Sequence, residues 1–234
     1  MTSPKALLRA WNLRPKKRLG QHFLVDPSTA EMIARHTRIT SEDTVIEIGA
    51  GLGALTIPLA RMAARVYAVE KDSQLTQLLK TELLVQDLTN VKMIEQNILN
   101  VDLRELAQKS DRPLIVTGNL PYNISSQVIV QLIEARTYVK RAILMFQKEL
   151  ARRITAKPGK KDYGRLTVML AYCADIKSIA TVNASLFYPA PKIDSEVVEI
   201  NFNVRRQYPP HDEVMLFQVI KAAFGNRRKT LKNA

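Results

Sequence analysis

The chain predicts an α/β fold, a mainly parallel sheet of seven strands with helices on both faces, and three observations predict it. Short apolar, β-branched runs alternate with amphipathic helical stretches along most of its 234 residues. A glycine-rich turn follows one of the first of these runs, and an acidic residue closes the next about twenty residues on. The length suffices for one such domain with a sizeable core plus a small appendage. The organisation read from the chain is a basic N-terminal arm at 1–18, the α/β domain at 19–203, and the start of a small helical C-terminal domain, read as truncated, at 204–234.

Each element follows from local pattern. Residues 1–18 hold Arg9, Arg14, Lys16, Lys17 and Arg18 around Leu7, Leu8 and Trp11. An Arg-rich amphipathic start also suits an organelle transit peptide, but it runs directly into Gly20-Gln21-His22-Phe23-Leu24 and reads as an RNA-contacting arm. Asp26 as N-cap and Pro27 in the first turn start a helix over 27–37. Strands are predicted at 44–48, 65–70, 91–95 and 113–117, with helices at 53–63, 72–84 and 124–134. After a fifth strand at 140–146, residues 147–165 read as a helix and then a basic loop broken at Pro158-Gly159. Two further β-rich runs follow at 177–182 and 195–203. A last amphipathic helix at 211–224 leads to Asn226-Arg227-Arg228-Lys229.

The net charge of +13 is unevenly placed. Residues 1–18 carry six basic and no acidic groups, residues 136–180 eleven against three, and residues 203–234 seven against two. Residues 19–135 carry ten against fourteen. A mildly acidic half framed by basic blocks reads as a phosphate-contacting surface rather than a uniformly solvated one. The candidate RNA contacts are Lys16, Lys17, Arg18, Lys148, Arg152, Arg153, Lys160, Lys161, Arg165, Arg227, Arg228 and Lys229. No run has the length to span a bilayer, and the expected location is the cytoplasm. The single Cys173 excludes an intrachain disulfide and reads as a buried thiol. Three scattered histidines and one cysteine give no metal-ligand cluster, and a monomer without metal is expected.

Two motifs carry chemistry. Thr44-Val45-Ile46-Glu47-Ile48 leads into Gly49-Ala50-Gly51-Leu52-Gly53, where Gly49 and Gly51 let the backbone approach a ligand. Glu70, ending the next strand, is placed to accept from both hydroxyls of a ribose. This half therefore reads as a site for an adenosine-containing cofactor. Gly49-x-Gly51-x-x-Ala54 also fits a dinucleotide fingerprint. Two features favour S-adenosylmethionine instead: Glu47 just before the glycines, in the Glu-x-Gly-x-Gly-x-Gly form seen in methyltransferases, and a tetrad at Asn119–Tyr122 of which a nicotinamide enzyme has no evident need. The second motif is Asn119-Leu120-Pro121-Tyr122 at the end of the fourth strand. The Asn side-chain oxygen and a nearby main-chain carbonyl can bracket an exocyclic NH2. Pro121 stiffens the turn and adds no donor, and Tyr122 offers a face to a flat base. That set suits an enzyme acting on the amino group of adenine; the alternative is an ordinary strand-to-helix turn, in which Asn, Pro and Ser are common.

Gly20–Leu24, Glu47–Gly53, Asn119–Ser125, Tyr163-Gly164-Arg165-Leu166 and Phe187–Ser195 occur in that order. Together they resemble the KsgA family, the small-subunit rRNA adenine dimethyltransferases, from about Arg14 to the last residue. The resemblance implies a Rossmann-like S-adenosylmethionine-dependent methyltransferase fold. It implies N6-dimethylation of two adjacent adenines near the 3′ end of small-subunit rRNA. The alternatives are the large-subunit methyltransferase of antibiotic resistance and a non-catalytic ribosome-assembly or transcription factor on the same fold. Cofactor roles carry over to His22, Leu24, Gly49, Glu70, Asn97 and Asn119. His22 stands where the family often has Asn, and Asn97 where it usually has Asp, which weakens the adenine contact expected there. Phe187 opens a segment that faces the target base in the family. With Tyr122 it is expected to sandwich a flipped-out adenine, core packing being the alternative.

Overall fold

The computed structural model describes residues 3–110, 112–203 and 210–225. Its centre is a seven-stranded sheet built from β2 (Thr44–Ile48), β3 (Arg65–Glu70), β4 (Val91–Glu95), β5 (Leu114–Asn119), β6 (Val139–Gln147), β7 (Asp175–Val182) and β9 (Ser195–Asn201), in the order β4-β3-β2-β5-β6-β9-β7. The first five in chain order are mutually parallel; at one side β9 pairs antiparallel with β6, and β7 pairs antiparallel with β9, so β9 alone opposes the rest. The expected strands are all present, with ends shifted by a few residues. The two-residue strands β1 (Phe23–Leu24) and β8 (Phe187–Tyr188) pair with each other in a separate small sheet.

Period-2 alternation along the parallel strands builds two apolar layers. Ile46, Ile48, Val116, Leu144 and Val198 enter one cluster, and Val45, Ile115, Ile143 and Val197 the other. Helices cover both. α2 (Pro27–His36), capped by Asp26, and α3 (Thr56–Ala60) lie on the second face. α5 (Leu103–Gln108), α6 (Ser125–Glu134), α7 (Lys148–Ile154) and α8 (Arg165–Cys173) lie on the first. α4 (Ser73–Val85) packs on β3 and β4. α9 (Glu213–Ala223) joins through the Phe217 ring, edge-on to Tyr172 of α8 at 5.7 Å. Cys173 is buried at the end of α8.

The arm differs from a free basic tail. Ser3 and Pro4 start the short helix α1 (Pro4–Ala10), which buries Leu7 and Leu8 against Phe23, Leu52, Leu75 and Leu78. The chain runs outward from β2 to β3 and β4, then crosses back to β5 and β6. The switch point therefore lies between β2 and β5, and ligands of open α/β sheets bind at the carboxyl ends of the strands there. The glycine turn leaves β2 and the Asn119–Tyr122 tetrad leaves β5 at that place.

Candidate active site

The cleft at the switch point is lined by the turn after β2, the end of β3, Gln96–Ile98 after β4, Asn119–Ile124 after β5, and Arg18–Leu24 across the top. It gathers His22, Leu24, Gly49, Gly51, Glu70, Asn97, Asn119, Leu120, Pro121 and Tyr122 from five separate stretches of chain.

Close backbone contact sets its shape. Gly49 has φ 74°, and a Cβ built on it would sit 3.4 Å from the Asn119 carbonyl and 3.7 Å from Pro121 Cδ. The glycine turn thus lies directly on the tetrad. Gly118, one residue before Asn119, is tighter still: a Cβ there would fall 2.4 Å from the Ile48 carbonyl. Any side chain would push β5 away from β2, and with it the two motifs the cleft depends on.

Glu70, nearly buried, accepts from three backbone N–H groups: Gly51 at 2.9 Å, Lys71 at 2.8 Å and Asp72 at 2.9 Å. Burial pushes its carboxyl above the usual range, the three N–H groups work against that rise, and the Asp72 charge adds to it. Asp72 is tied in turn to the covering segment. It accepts from Lys16 Nζ at 2.7 Å and from Gln21 Nε2 at 2.9 Å, while Gln21 Oε1 accepts from the Lys16 backbone N–H at 2.8 Å. Burial raises the Asp72 carboxyl, but the bonds from Lys16 and Gln21 and the Lys16 charge outweigh it and hold the group below its ordinary value. Asp72 and this strap carry no sequence signal beyond a polar residue at a helix start. Glu47 lies deeper, and its Oε2 has no partner. Asn97 caps the short turn Ile98–Asn100, accepting from the Leu99 N–H at 3.2 Å. A carbonyl oxygen has two lone pairs, so a second donor can still be met.

The tetrad end is organised by a set of hydrogen bonds. Asn119 Nδ2 donates to the His22 carbonyl at 2.8 Å. Because a carbonyl only accepts, the amide is fixed with Oδ1 as its acceptor end. The Tyr122 hydroxyl bonds Ser195 Oγ at 3.0 Å, and burial raises its phenol while that bond acts against the rise. Its ring stacks on His22 with centroids 5.6 Å apart and planes 26° apart. The imidazole is itself anchored, Nδ1 lying 2.6 Å from the Pro189 carbonyl. Ser125, at the start of α6, donates from Oγ to the Pro121 carbonyl.

Phe187 departs from the expectation. Its ring is 3% exposed in the apolar cluster with Leu24, Val182 and Val197, and it does not line the cleft. The cause is register: β8 pairs Phe187 with Leu24 and Tyr188 with Phe23, and neighbours in a strand point to opposite sides. The inward position falls to Phe187. The ring against Tyr122 is that of His22.

Of the expected RNA-contacting groups, Lys17 and Arg18 are exposed in the turn Lys17–Leu19 at the cleft rim, while Lys16 is engaged by Asp72. Lys148, Arg152, Arg153, Lys160, Lys161 and Arg165 are exposed on α7, the following loop and the start of α8. α7 begins where β6 ends, at the same carboxyl edge as Asn119, and Arg152 pairs with Asp162 at 2.8 Å. Arg227, Arg228 and Lys229 lie outside the described residues. Among the described residues no group of His, Cys, Asp and Glu is arranged to hold a metal ion, and no helix is long and apolar enough to cross a membrane.

Known proteins combine the same elements. The chain is 50% identical over 234 residues to a ribosomal RNA small subunit methyltransferase A of Desulforapulum autotrophicum, covering 100% of this chain and 82% of that one. It is 42% identical over 227 residues to a protein of the same description from Desulfotalea psychrophila, covering 97% and 76%. Among solved structures, a dimethyladenosine transferase from Plasmodium falciparum superposes with a TM-score of 0.75 at 31% identity, over 91% of this chain and 74% of that one. The 23S rRNA methyltransferase ErmE gives 0.75 at 25% identity, over 90% and 82%. The model for ribosomal RNA adenine dimethylases matches residues 12–234, a span that takes in the switch-point cleft, the tetrad and the strap. With that match over nearly its whole length, the chain belongs to the ribosomal RNA adenine dimethylase family.

Proposed function

We propose that the protein transfers methyl groups from S-adenosylmethionine to N6 of two adjacent adenines near the 3′ end of small-subunit rRNA, in the cytoplasm, as a step of ribosome maturation. The observation that carries this reading is the fixed amide of Asn119. Its NH2 is used by the His22 carbonyl, so Oδ1 is presented beside Tyr122 as an acceptor for an exocyclic amine.

The residues of the cleft fit the donor. The Gly49 turn lies against the tetrad at the floor of the cleft, Glu70 stands where ribose hydroxyls are expected, and the unpartnered Glu47 oxygen suits a cationic ligand. When bound, S-adenosylmethionine supplies a methyl group activated by its sulfonium. Everything else falls to the chain. Glu70 orients the ribose, Asn97 offers an acceptor to the donor's adenine, and Gly49, Gly51, His22 and Leu24 enclose it. Asn119 Oδ1 and the Leu120 carbonyl hold the N–H groups of the target amine. This favours a pyramidal, nucleophilic nitrogen whose lone pair is less committed to the ring. Pro121 keeps the turn rigid, and Tyr122 receives the base face. The basic surface around α7 and the Lys17–Arg18 rim receives phosphates, leaving the protein to contribute positioning and electrostatics.

Small-subunit over large-subunit RNA is supported by the relatives. Those named for the small subunit reach 50% identity, whereas ErmE, named for 23S rRNA, stands at 25%. The test is to incubate the purified protein and donor with small subunits lacking these methyl groups and map the modified nucleotides. Two dimethylated neighbouring adenines near the 3′ end are expected. Methylation of large-subunit RNA alone would overturn the assignment.

A further inference from the structure

Glu47 is an acid that the fold itself has no need of. It is the fourth residue of β2, and its register partners on the strands to either side, Ala68 and Thr117, carry no charge. The Thr117 hydroxyl is already spent on the Ile143 carbonyl. The Glu47 side chain is 2% exposed, reaches the lining of the cleft, and leaves Oε2 without a hydrogen-bond partner; Thr56 Oγ1 nearby lacks one too. Among the described residues it forms no ion pair. The titratable group that faces it is Glu70, whose oxygens accept from the Gly51, Lys71 and Asp72 N–H groups. Beyond Glu70 lies Asp72, engaged by Lys16 and Gln21.

A buried carboxylate with no counter-charge is costly, so such a group stays protonated until a cation reaches it. Burial pushes the Glu47 carboxyl up to about 8, Thr56 beside it pulls the other way, and Glu70 adds to the rise. At neutral pH the group is therefore mostly in its acid form.

We propose that Glu47 reads the charge of the methyl donor: it is protonated in the free cleft, releases its proton to solvent when S-adenosylmethionine brings in its sulfonium, and so favours that cation over S-adenosylhomocysteine. This rests on the assignment of the cleft to the donor. The balance is simple. The donor carries one positive charge more than the product, because methyl transfer turns the sulfonium into a neutral thioether. With the product in place the Glu47 carboxylate has lost that counter-charge and takes a proton back, and the product is held less tightly. The acid in front of the glycines is then a specificity-determining residue that helps the spent cofactor leave.

The sign follows from linkage. A proton released on binding makes affinity rise with pH, by up to about tenfold per pH unit while the group is mostly protonated. The experiment is isothermal titration of both compounds at pH 7 in two buffers of different ionisation enthalpy, with a series from pH 6 to 8, on the wild type and Glu47→Gln. Wild type should release distinctly more protons with the donor than with the product, and its preference for the donor should widen as pH rises. In the Gln variant that difference should shrink to the part contributed by the ligands' own ammonium groups, and the preference should fall severalfold. Titration of the ligands' own ammonium is common to both proteins and cancels. Equal proton release for donor and product in the wild type would overturn the proposal. So would a Gln variant that keeps the wild-type difference, which would place the proton on Glu70 instead. Should Glu47→Gln fail to fold, Glu47→Ala, which also removes the carboxyl, serves as the reference in its place. Binding of neither compound would overturn the assignment of the cleft to the donor, and this inference with it.

Discussion

Asn119 is oriented by the main chain of His22, 97 residues earlier, and this bond makes its side chain chemically specific. Asn119→Ala removes the acceptor without disturbing the strand. Methyl transfer should fall by about 2.7–4 kcal/mol in barrier terms, on the order of a hundred- to a thousandfold, with melting unchanged. Near-normal single-turnover rates would remove Asn119 from the chemistry. Gly118 is the residue that sequence reading passed over. Gly118→Ala places a methyl 2.4 Å from the Ile48 carbonyl, against backbone that cannot yield. We expect a loss of about 3 kcal/mol, seen as a melting temperature lower by roughly 6–12 °C; an unchanged Tm would mean that β2 and β5 separate freely. Asn97→Asp should tighten donor binding by on the order of 1 kcal/mol, since a carboxylate keeps the Leu99 cap and strengthens the adenine contact. Titration at equal pH and salt checks this, and weaker binding by the Asp form would show a site adapted to the neutral amide. The tetrad, Glu70 and the glycines were legible because each follows or closes a clear apolar strand at a telling spacing. Phe187 was not, since a two-residue strand gives no alternation from which to tell inside from outside.

At the scale of elements, strands were read well and short helices poorly. α8 has apolar residues at Leu166, Met169, Leu170 and Cys173, a helical spacing hidden by the basic run before it. α1 and α5 have seven and six residues, too few to show a period, although Ser3 with Pro4 and Asp102 are recognisable starts. The basic segment from α7 to the start of α8 has its function argued from place as much as charge, for it leaves the carboxyl edge of β6 beside Asn119. Changing Arg153, Lys160 and Arg165 together to Glu should weaken binding to small subunits while leaving donor affinity intact. With fewer phosphates neutralised, affinity also depends less steeply on salt, the slope falling by about 0.7 for each phosphate of single-stranded RNA that is released. Filter binding across a salt series measures it. Equal affinity and equal slope would leave this face merely solvated.

Across the whole molecule, the place of the site follows from topology. The mainly parallel sheet could be anticipated from alternation, whereas the reversal between β2 and β5, and with it the switch point, appears only in the strand order. Nor could the covering segment be anticipated. It is held by contacts between residues 51 and 56 positions apart in sequence, Gln21–Asp72 and Lys16–Asp72, which no local pattern reveals. That strap has a thermodynamic consequence. Asp72 meets Lys16 and Gln21 through its side chain and Glu70 through its N–H, so ordering the covering segment and ordering Glu70, the proposed ribose acceptor, are one event. Lys17 and Arg18, on the same segment, face the solvent from which RNA arrives. A ligand on either side of the strap then pre-organises it for the other, and such coupling is reciprocal. Donor affinity should rise when small subunits are bound, and subunit affinity should rise by the same factor with donor present. In Lys16→Met, which leaves only Gln21 on Asp72, the coupling factor measured from either side should shrink.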